Sequence, residues 1–470
     1  MPNKTQLAII GAGPGGYTAA FLAADKGMEV TLIDIHKNPG GVCLYYGCIP
    51  SKALLHIAKL LEETKHAHKW GVKFAEPEID LDQLRSFKES VVSKLTGGTG
   101  QLVKQRKINY IQGRAQFTGS NSLTVKKVDG TVENIEFENA ILATGSEPVK
   151  IPSLWIDSDR MIDSTGALAL KDIPKTMLVI GGGIIGLEMA NVYSSLGTEV
   201  SVVEMMPQLI PGADKDMVSV LSRSLKPRLK EVMLNTSVTS TKELKKGIKV
   251  TFEGKKEESA TYEKVLMAVG RRPVTKNLGL EHTGISLDEK GFVSVNEQLQ
   301  TTDTSIYAIG DIVGNPMLAH KASSEGKVAV EAILGHKVAF EPAGIPSVVY
   351  TDPEMAWVGL TETEAKEKNI TIEVQKFPWA ASGRAVTLDR NDGLTKMIID
   401  PETNRVLGVG IVGPGAGEMI AEGTLAIEMA ALAKDVALTI HPHPTLTETV
   451  METAEMFFGE STHVYKPKRN

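Results

Sequence analysis

The sequence predicts an α/β chain in which two dinucleotide-binding units are followed by a C-terminal α/β domain of different character. Three observations carry that expectation. A strand, a glycine turn, a helix and a second strand ending in an acid occur in that order over residues 7–34 and again over 177–204. From about Ser347 the glycine fingerprints stop, while strand and helix patterns continue. The 44 glycines and 42% hydrophobic content suit many tight turns, and 470 residues are enough for about three or four buried cores.

Composition narrows the function. A net charge of −6 leaves no basic stripe for nucleic acid, so no nucleic-acid partner is expected. No run approaches the ~18 apolar residues of a membrane span. Met1-Pro2-Asn3-Lys4-Thr5-Gln6 runs straight into an apolar strand, without the charged-then-apolar pattern of a leader, which suggests a cytoplasmic protein. In a reducing compartment a disulfide is normally a working one.

In the first unit, Leu7-Ala8-Ile9-Ile10 feeds Gly11-Ala12-Gly13-Pro14-Gly15-Gly16, a helix over 17–26 and a strand over 30–33 that ends in Asp34. Gly11 makes the turn, Gly13 lets the backbone approach a pyrophosphate, and Gly16 packs helix on strand. Asp34 is placed to accept from ribose hydroxyls. The second unit repeats this with Gly181, Gly183, Gly186 and Glu204. Both acids follow the last glycine by 18 residues, and no Arg or Lys follows Glu204 to hold a 2′-phosphate. The second site is therefore expected to take NAD rather than NADP.

Between the units, residues 57–107 read as helix, broken at Gly71 and at Gly97-Gly98. Strand alternation over 108–138 leads into Ala143-Thr144-Gly145. A parallel meander is expected over 232–261, closing in Gly270-Arg271-Arg272-Pro273. A further strand, 305–309, delivers Asp311, and a helix is expected over 318–334. The late methionines and aromatics, including Met419, Met429, Met456, Phe457 and Phe458, read as core with an exposed share for an oligomer face.

The only two cysteines, Cys43 and Cys48, lie five apart in Gly40-Gly41-Val42-Cys43-Leu44-Tyr45-Tyr46-Gly47-Cys48-Ile49-Pro50-Ser51-Lys52. In an ordinary helix their Cα atoms would be roughly 8 Å apart, beyond the reach of a disulfide. Gly47 frees the backbone and Pro50 removes a donor, so a distorted helix start could close a small, reducible ring. Two buried free thiols are the plain alternative, and a metal site lacks a second cysteine pair. Near the end, His441-Pro442-His443-Pro444 precedes Glu448. Glu448 could orient an imidazole as a general base, and a metal is disfavoured for want of further ligands.

Taken together, these stretches resemble the flavin-dependent pyridine-nucleotide disulfide oxidoreductases, class I, over essentially the whole chain. The resemblance implies two Rossmann-like FAD/NAD(P)-binding domains plus a C-terminal α/β dimerisation domain. Its boundaries would be 1–148 for FAD, 149–275 for NAD, 276–346 for a central domain completing the FAD site, and 347–470 for the interface. Gly11, Gly13, Gly16, Asp34, Lys52, Thr144, Gly145 and Asp311 would hold FAD, and Gly181, Gly183, Gly186, Glu204 and Gly270 would hold NAD. Cys43 would be the interchange thiol and Cys48 the thiol against the flavin. Lys52 and Glu188 would form an ion pair near flavin and nicotinamide, and His443 with Glu448 would be the base, reaching across a homodimer.

Ser51 stands where glutathione-reducing members usually carry Lys, and no further cysteine supplies a second redox pair. The implied reaction is therefore oxidation of protein-bound dihydrolipoamide by NAD⁺. The implied partners are lipoyl domains of 2-oxo-acid dehydrogenase acyltransferases or a glycine-cleavage carrier. A glutathione-reductase-like enzyme or a flavin NADH oxidase or transhydrogenase is the alternative. Two departures stand out. Tyr45-Tyr46 replaces the usual Asn-Val and is expected to add bulk beside the cysteines. Asp34 replaces the commoner Glu, and its shorter reach is expected to need a water to the ribose.

Overall fold

The computed structural model describes residues 3–255 and 257–465. Met1 and Pro2 lie outside them, as do the last five residues of the expected interface domain.

The first sheet is parallel, with strands ordered Asn109–Gly119, Val30–Asp34, Asn3–Ile10, Val132–Leu142 and Ile306–Ala308. Leu7, Ile9, Leu32 and Ile141 are fully buried, because a parallel sheet covered on both faces admits no polar alternation. The two long strands extend beyond the sheet and join Ser122–Lys127 in an antiparallel meander. Helices Pro14–Asp25 and Ala319–Ile333 pack at small residues. A Cβ on Gly326 would stand 2.8 Å from Gly15 O, which only glycine permits.

The second sheet repeats the design, with Glu231–Met233, Glu199–Val203, Thr176–Ile180, Lys264–Met267 and Met161–Ile162 all parallel. The expected parallel meander here is corrected. Thr236–Leu244, Gly247–Gly254 and Ser259–Tyr262 form an antiparallel sheet, since connections this short can only reverse the chain. Gly97-Gly98 does not break its helix either, and Leu81–Gln105 is continuous. Each interior glycine costs a helix about 1 kcal/mol. Neighbouring contacts offset that cost: Thr99 Oγ1 donates to Pro39 O at 2.6 Å, and Gly100 lies against Asn38.

The C-terminal domain is an antiparallel sheet ordered Ser347–Val349, Met355–Gly359, Val406–Val412, Leu394–Ile399 and Glu373–Pro378. Helices Ala416–Glu428 and Glu448–Phe458 pack on it. Met419 and Met456 are buried, while Met429 is exposed. Two ion clusters tie this domain to the second nucleotide unit. Buried Lys396 reaches Asp214 at 2.6 Å, Asp216 at 3.1 Å and Glu362 at 2.5 Å. Asp352 is clamped by Arg228 at 3.0 Å and Arg390 at 2.6 Å. Among the described residues, no helix is long and apolar enough to cross a membrane.

Candidate active site

The cysteine stretch folds as two helices, Gly41–Tyr46 and Cys48–His66, meeting at Gly47. A Cβ on Gly47 would lie 3.0 Å from Val42 O and 3.5 Å from Cys43 Cα, so a larger residue would wedge the two turns apart. Pro50 falls in the first turn of the second helix, where a backbone N–H has no partner within the helix. Each cysteine thus sits on its own helical segment, and the spacing that defeats an ordinary helix no longer applies. Gly41, at φ +56°, presses on the first glycine turn, where a Cβ would come within 2.5 Å of Gly13 Cα.

Both cysteines are thiols here, close enough to share a hydrogen bond. That bond lowers Cys48 to about 7; burial opposes the shift and the Lys52 ammonium assists it. Cys43 is pushed up by the same bond and by burial. The reduced pair therefore keeps its proton on Cys43 and places the thiolate on Cys48. Ser51, buried beside them, donates to Cys48 O at 3.0 Å.

One turn after Cys48, Lys52 Nζ donates to both oxygens of Glu188 at 3.1 Å. Glu188 belongs to Ile184–Ser195, the helix of the second unit, so this ion pair bridges the two nucleotide units. Tyr350 completes the group from the C-terminal domain. Its N–H donates to Glu188 Oε1 at 3.1 Å, and its ring lies 4.3 Å beneath Lys52 Nζ.

A cavity of about 1470 Å³ has Asp34, Cys43, Cys48, Lys52, Glu188 and Asp311 in its walls. Gly11, Gly13, Thr144 and Gly145 also border it. A second, of about 540 Å³, is bordered by Gly181, Gly183, Glu204 and Gly270. Ser164, Ile184, Ile185 and Arg271 line both. Gly16 and Gly186 lie beneath the turns, where a Cβ would fall 1.9 Å from Gly11 O and 2.1 Å from Gly181 O. Gly13 and Gly183 instead leave open space: a Cβ on Gly13 would meet nothing nearer than 3.9 Å, and one on Gly183 nothing within 4 Å.

The two acids are held alike. Asp34 accepts from Ala12 N–H at 2.7 Å and His36 N–H at 2.9 Å. Glu204 accepts from Gly182 N–H at 2.7 Å and Met206 N–H at 2.8 Å. Asp311 accepts from Ser146 Oγ, which in turn accepts from Arg271 Nε at 2.7 Å.

Tyr45 and Tyr46 both engage His36. The Tyr45 ring stacks on it at 4.4 Å and sends its hydroxyl to Asn38 O at 3.1 Å. The Tyr46 hydroxyl lies 3.1 Å from His36 Nε2. Tyr350, Ser146, Arg271 and His36 were not singled out as site residues by the sequence. Of these, only Arg271 stood in a recognised stretch.

His443 and Glu448 are paired, Nδ1 to Oε1, at 2.8 Å. Glu448 can only accept, so Nδ1 carries the proton and Nε2 is the basic atom. Burial raises the Glu448 carboxyl, but the Thr445 N–H and His443 outweigh it and hold it below the usual carboxylate range. His443 does not line the cysteine cavity, and its side chain is 74% exposed. His441 is spent elsewhere, with Nε2 on Glu422 at 2.6 Å.

This architecture belongs to a described class. The family signature "Pyridine nucleotide-disulphide oxidoreductase" matches residues 5–326, and its "dimerisation domain" matches 345–454. The chain is a member of the pyridine nucleotide-disulphide oxidoreductases, FAD- and NAD-using enzymes that form homodimers. It is 50% identical over 466 residues to the dihydrolipoyl dehydrogenase of Haemophilus influenzae, covering 99% of this chain and 97% of that one. It is 44% identical to that of Geobacillus stearothermophilus, covering 98% of each. Among solved structures, LpdA from Mycobacterium tuberculosis matches with a TM-score of 0.90 at 27% identity, over 96% of this chain and 99% of that one. The flavoprotein disulfide reductase RclA from Escherichia coli, as its Cu(II) complex, matches at 0.87 and 28%, over 97% and 99%.

Proposed function

We propose that this protein oxidises protein-bound dihydrolipoamide to lipoamide with NAD⁺, as a cytoplasmic homodimer serving 2-oxo-acid dehydrogenase complexes or a glycine-cleavage carrier. One observation carries the chemistry. Two thiols on separate helical segments border a large cavity, and an ion pair ties them to a second nucleotide unit. The near-full-length similarity to dihydrolipoyl dehydrogenases gives that chemistry its substrate.

The residues fit both cofactors. The open space over Gly13 and Gly183, each preceding a helix N-terminus, suits a pyrophosphate's close approach. We assign FAD to Gly11–Gly16, Asp34, Thr144, Gly145 and Asp311, with Lys52 beside it. We assign NAD⁺ to Gly181, Gly183, Gly186, Glu204 and Gly270. The corresponding domains are 1–148, 149–275, 276–346 and 347–470. When bound, FAD accepts the electron pair of the reduced cysteines and NAD⁺ carries it away as hydride.

The chain's own groups do the rest. Nε2 of His443 from the second subunit takes a proton from one substrate thiol, since only the thiolate attacks a disulfide. That sulfur bonds to Cys43 Sγ, the Cys43–Cys48 bond breaks, and Cys48 leaves as a thiolate. Its low pKa and the nearby Lys52 make it a good leaving group. The second substrate thiol gives up its proton and, as a thiolate, attacks the first substrate sulfur, closing lipoamide and releasing Cys43, which takes up a proton. Two electrons have moved from substrate to the cysteine pair.

The test is an assay of the purified protein. It should be yellow, turn red on partial reduction and reduce NAD⁺ with dihydrolipoamide. Reduction of glutathione disulfide by NADPH without lipoamide turnover would overturn the assignment.

A further inference from the structure

We infer that Asp34, His36 and Tyr46 form one hydrogen-bonded unit that receives the adenosine ribose of FAD, with His36 and Tyr46 as its positioning residues. The inference rests on the FAD assignment above and adds two residues to it. His36 Nδ1 lies 2.7 Å from Asp34 Oδ1. A carboxylate can only accept, so Nδ1 carries the hydrogen, and Nε2 pairs with the Tyr46 hydroxyl at 3.1 Å. Tyr45 stacks on the His36 ring at an interplanar angle of 16°, fixing the ring's tilt. Tyr110 donates to His36 O at 2.8 Å and anchors its backbone.

The second unit supplies an internal comparison. Met206 stands two residues after Glu204, as His36 stands two after Asp34, and donates the equivalent backbone N–H. Only the first unit adds a ring nitrogen to the acid. Asp34 is one methylene shorter than Glu204, and His36 with Tyr46 brings further polar groups to the same cavity wall. Oδ1 is held by His36 through two bonds, which turns Oδ2, bonded to Ala12 N–H, toward a fixed direction. Tyr46 lies between the two cysteines, so the segment carrying the redox pair also closes the nucleotide end of the cavity.

The test measures FAD dissociation from the full-length holoprotein by the recovery of free flavin fluorescence. Tyr46→Phe removes one hydroxyl and should raise the dissociation constant about fivefold. His36→Leu, which also unties the carboxylate, should raise it roughly tenfold or more. His36→Asn keeps a donor near Asp34 and should recover part of that loss. Because Tyr46 acts through His36, the double variant His36→Leu/Tyr46→Phe should bind no more weakly than His36→Leu alone. Asp34→Ala separates the two levels of the argument. If it leaves FAD binding intact, the FAD assignment itself fails. If it weakens binding while Tyr46→Phe and His36→Leu stay within twofold of wild type, or if their effects add, the unit proposed here is wrong.

Discussion

The acidities of Cys43 and Cys48 are shifted in opposite directions, and this asymmetry makes them separable. Cys43→Ser and Cys48→Ser should each abolish lipoamide turnover while FAD stays bound. Only Cys43→Ser should keep a long-wavelength absorbance, because it alone retains the thiol assigned to the flavin side. Substantial turnover by either variant would remove the pair from the mechanism. In the reduced wild type, alkylation should rise with pH through about 7 and not through the ordinary thiol range. Lys52→Met should move that rise to higher pH, since a cation favours the thiolate. A profile unmoved by the substitution would show that Lys52 does not hold the thiolate. The cysteine pair was legible from spacing because Gly47 and Pro50 announce a broken helix. The destination of Tyr45 and Tyr46 was not, because a phenol's reach depends on which neighbour, here His36, occupies the facing strand end.

The two nucleotide units were the most legible elements, and the reason is steric. Gly11 would drive a Cβ to 2.3 Å from Ala143 O, and Gly181 would drive one to 2.4 Å from Ala268 O. Such positions tolerate little but glycine, so the fold leaves its mark in the residues. Strand direction leaves no such mark, and the alternation over 236–262 could not say that its strands run antiparallel. Tyr350 went unnoticed for a similar reason: it sits just past a short strand in a C-terminal domain without fingerprints, and only tertiary packing brings it to Lys52. Glu204 lets one element be rewired. Its carboxylate is fixed by two backbone donors at the edge of the second cavity, where, in the role proposed above, it would repel a 2′-phosphate. Glu204→Arg should raise NADP use relative to NAD in steady-state kinetics. A wild type already preferring NADP would contradict the role given to this acid.

At the scale of the molecule, the ion clusters hold the C-terminal domain against the second nucleotide unit. Lys396→Met would leave buried Asp214 without its ammonium, while Asp216 and Glu362 keep Lys376, and should cost about 3–5 kcal/mol in urea unfolding. Burial raises the Asp352 carboxyl, but Arg390 and Arg228 outweigh it and hold it below the ordinary range. A carboxylate with a depressed folded pKa stabilises above its unfolded value and loses that contribution as pH falls through the folded one. Asp352→Asn should therefore be less stable at neutral pH and show a shallower fall in stability below about pH 4. Equal acid sensitivity in both proteins would count against the clamp. The separation of His443 from the cysteine cavity has its own test. Inactive His443→Gln and Cys48→Ser chains, unfolded together and refolded as a mixture, should recover roughly a quarter of wild-type activity. No recovery in confirmed hybrid dimers would place the base in its own chain. If the base acts in trans as proposed above, a rule of gene dosage follows. Consider a cell that makes equal amounts of an intact chain and one lacking both Cys48 and His443. Every mixed dimer is then silent at both sites, since each site draws one half from the defective chain. Output falls to about a quarter, where a self-contained subunit would leave about half. The doubly defective allele is thus partly dominant, whereas an allele missing only one of the two residues lowers output in simple proportion to its share.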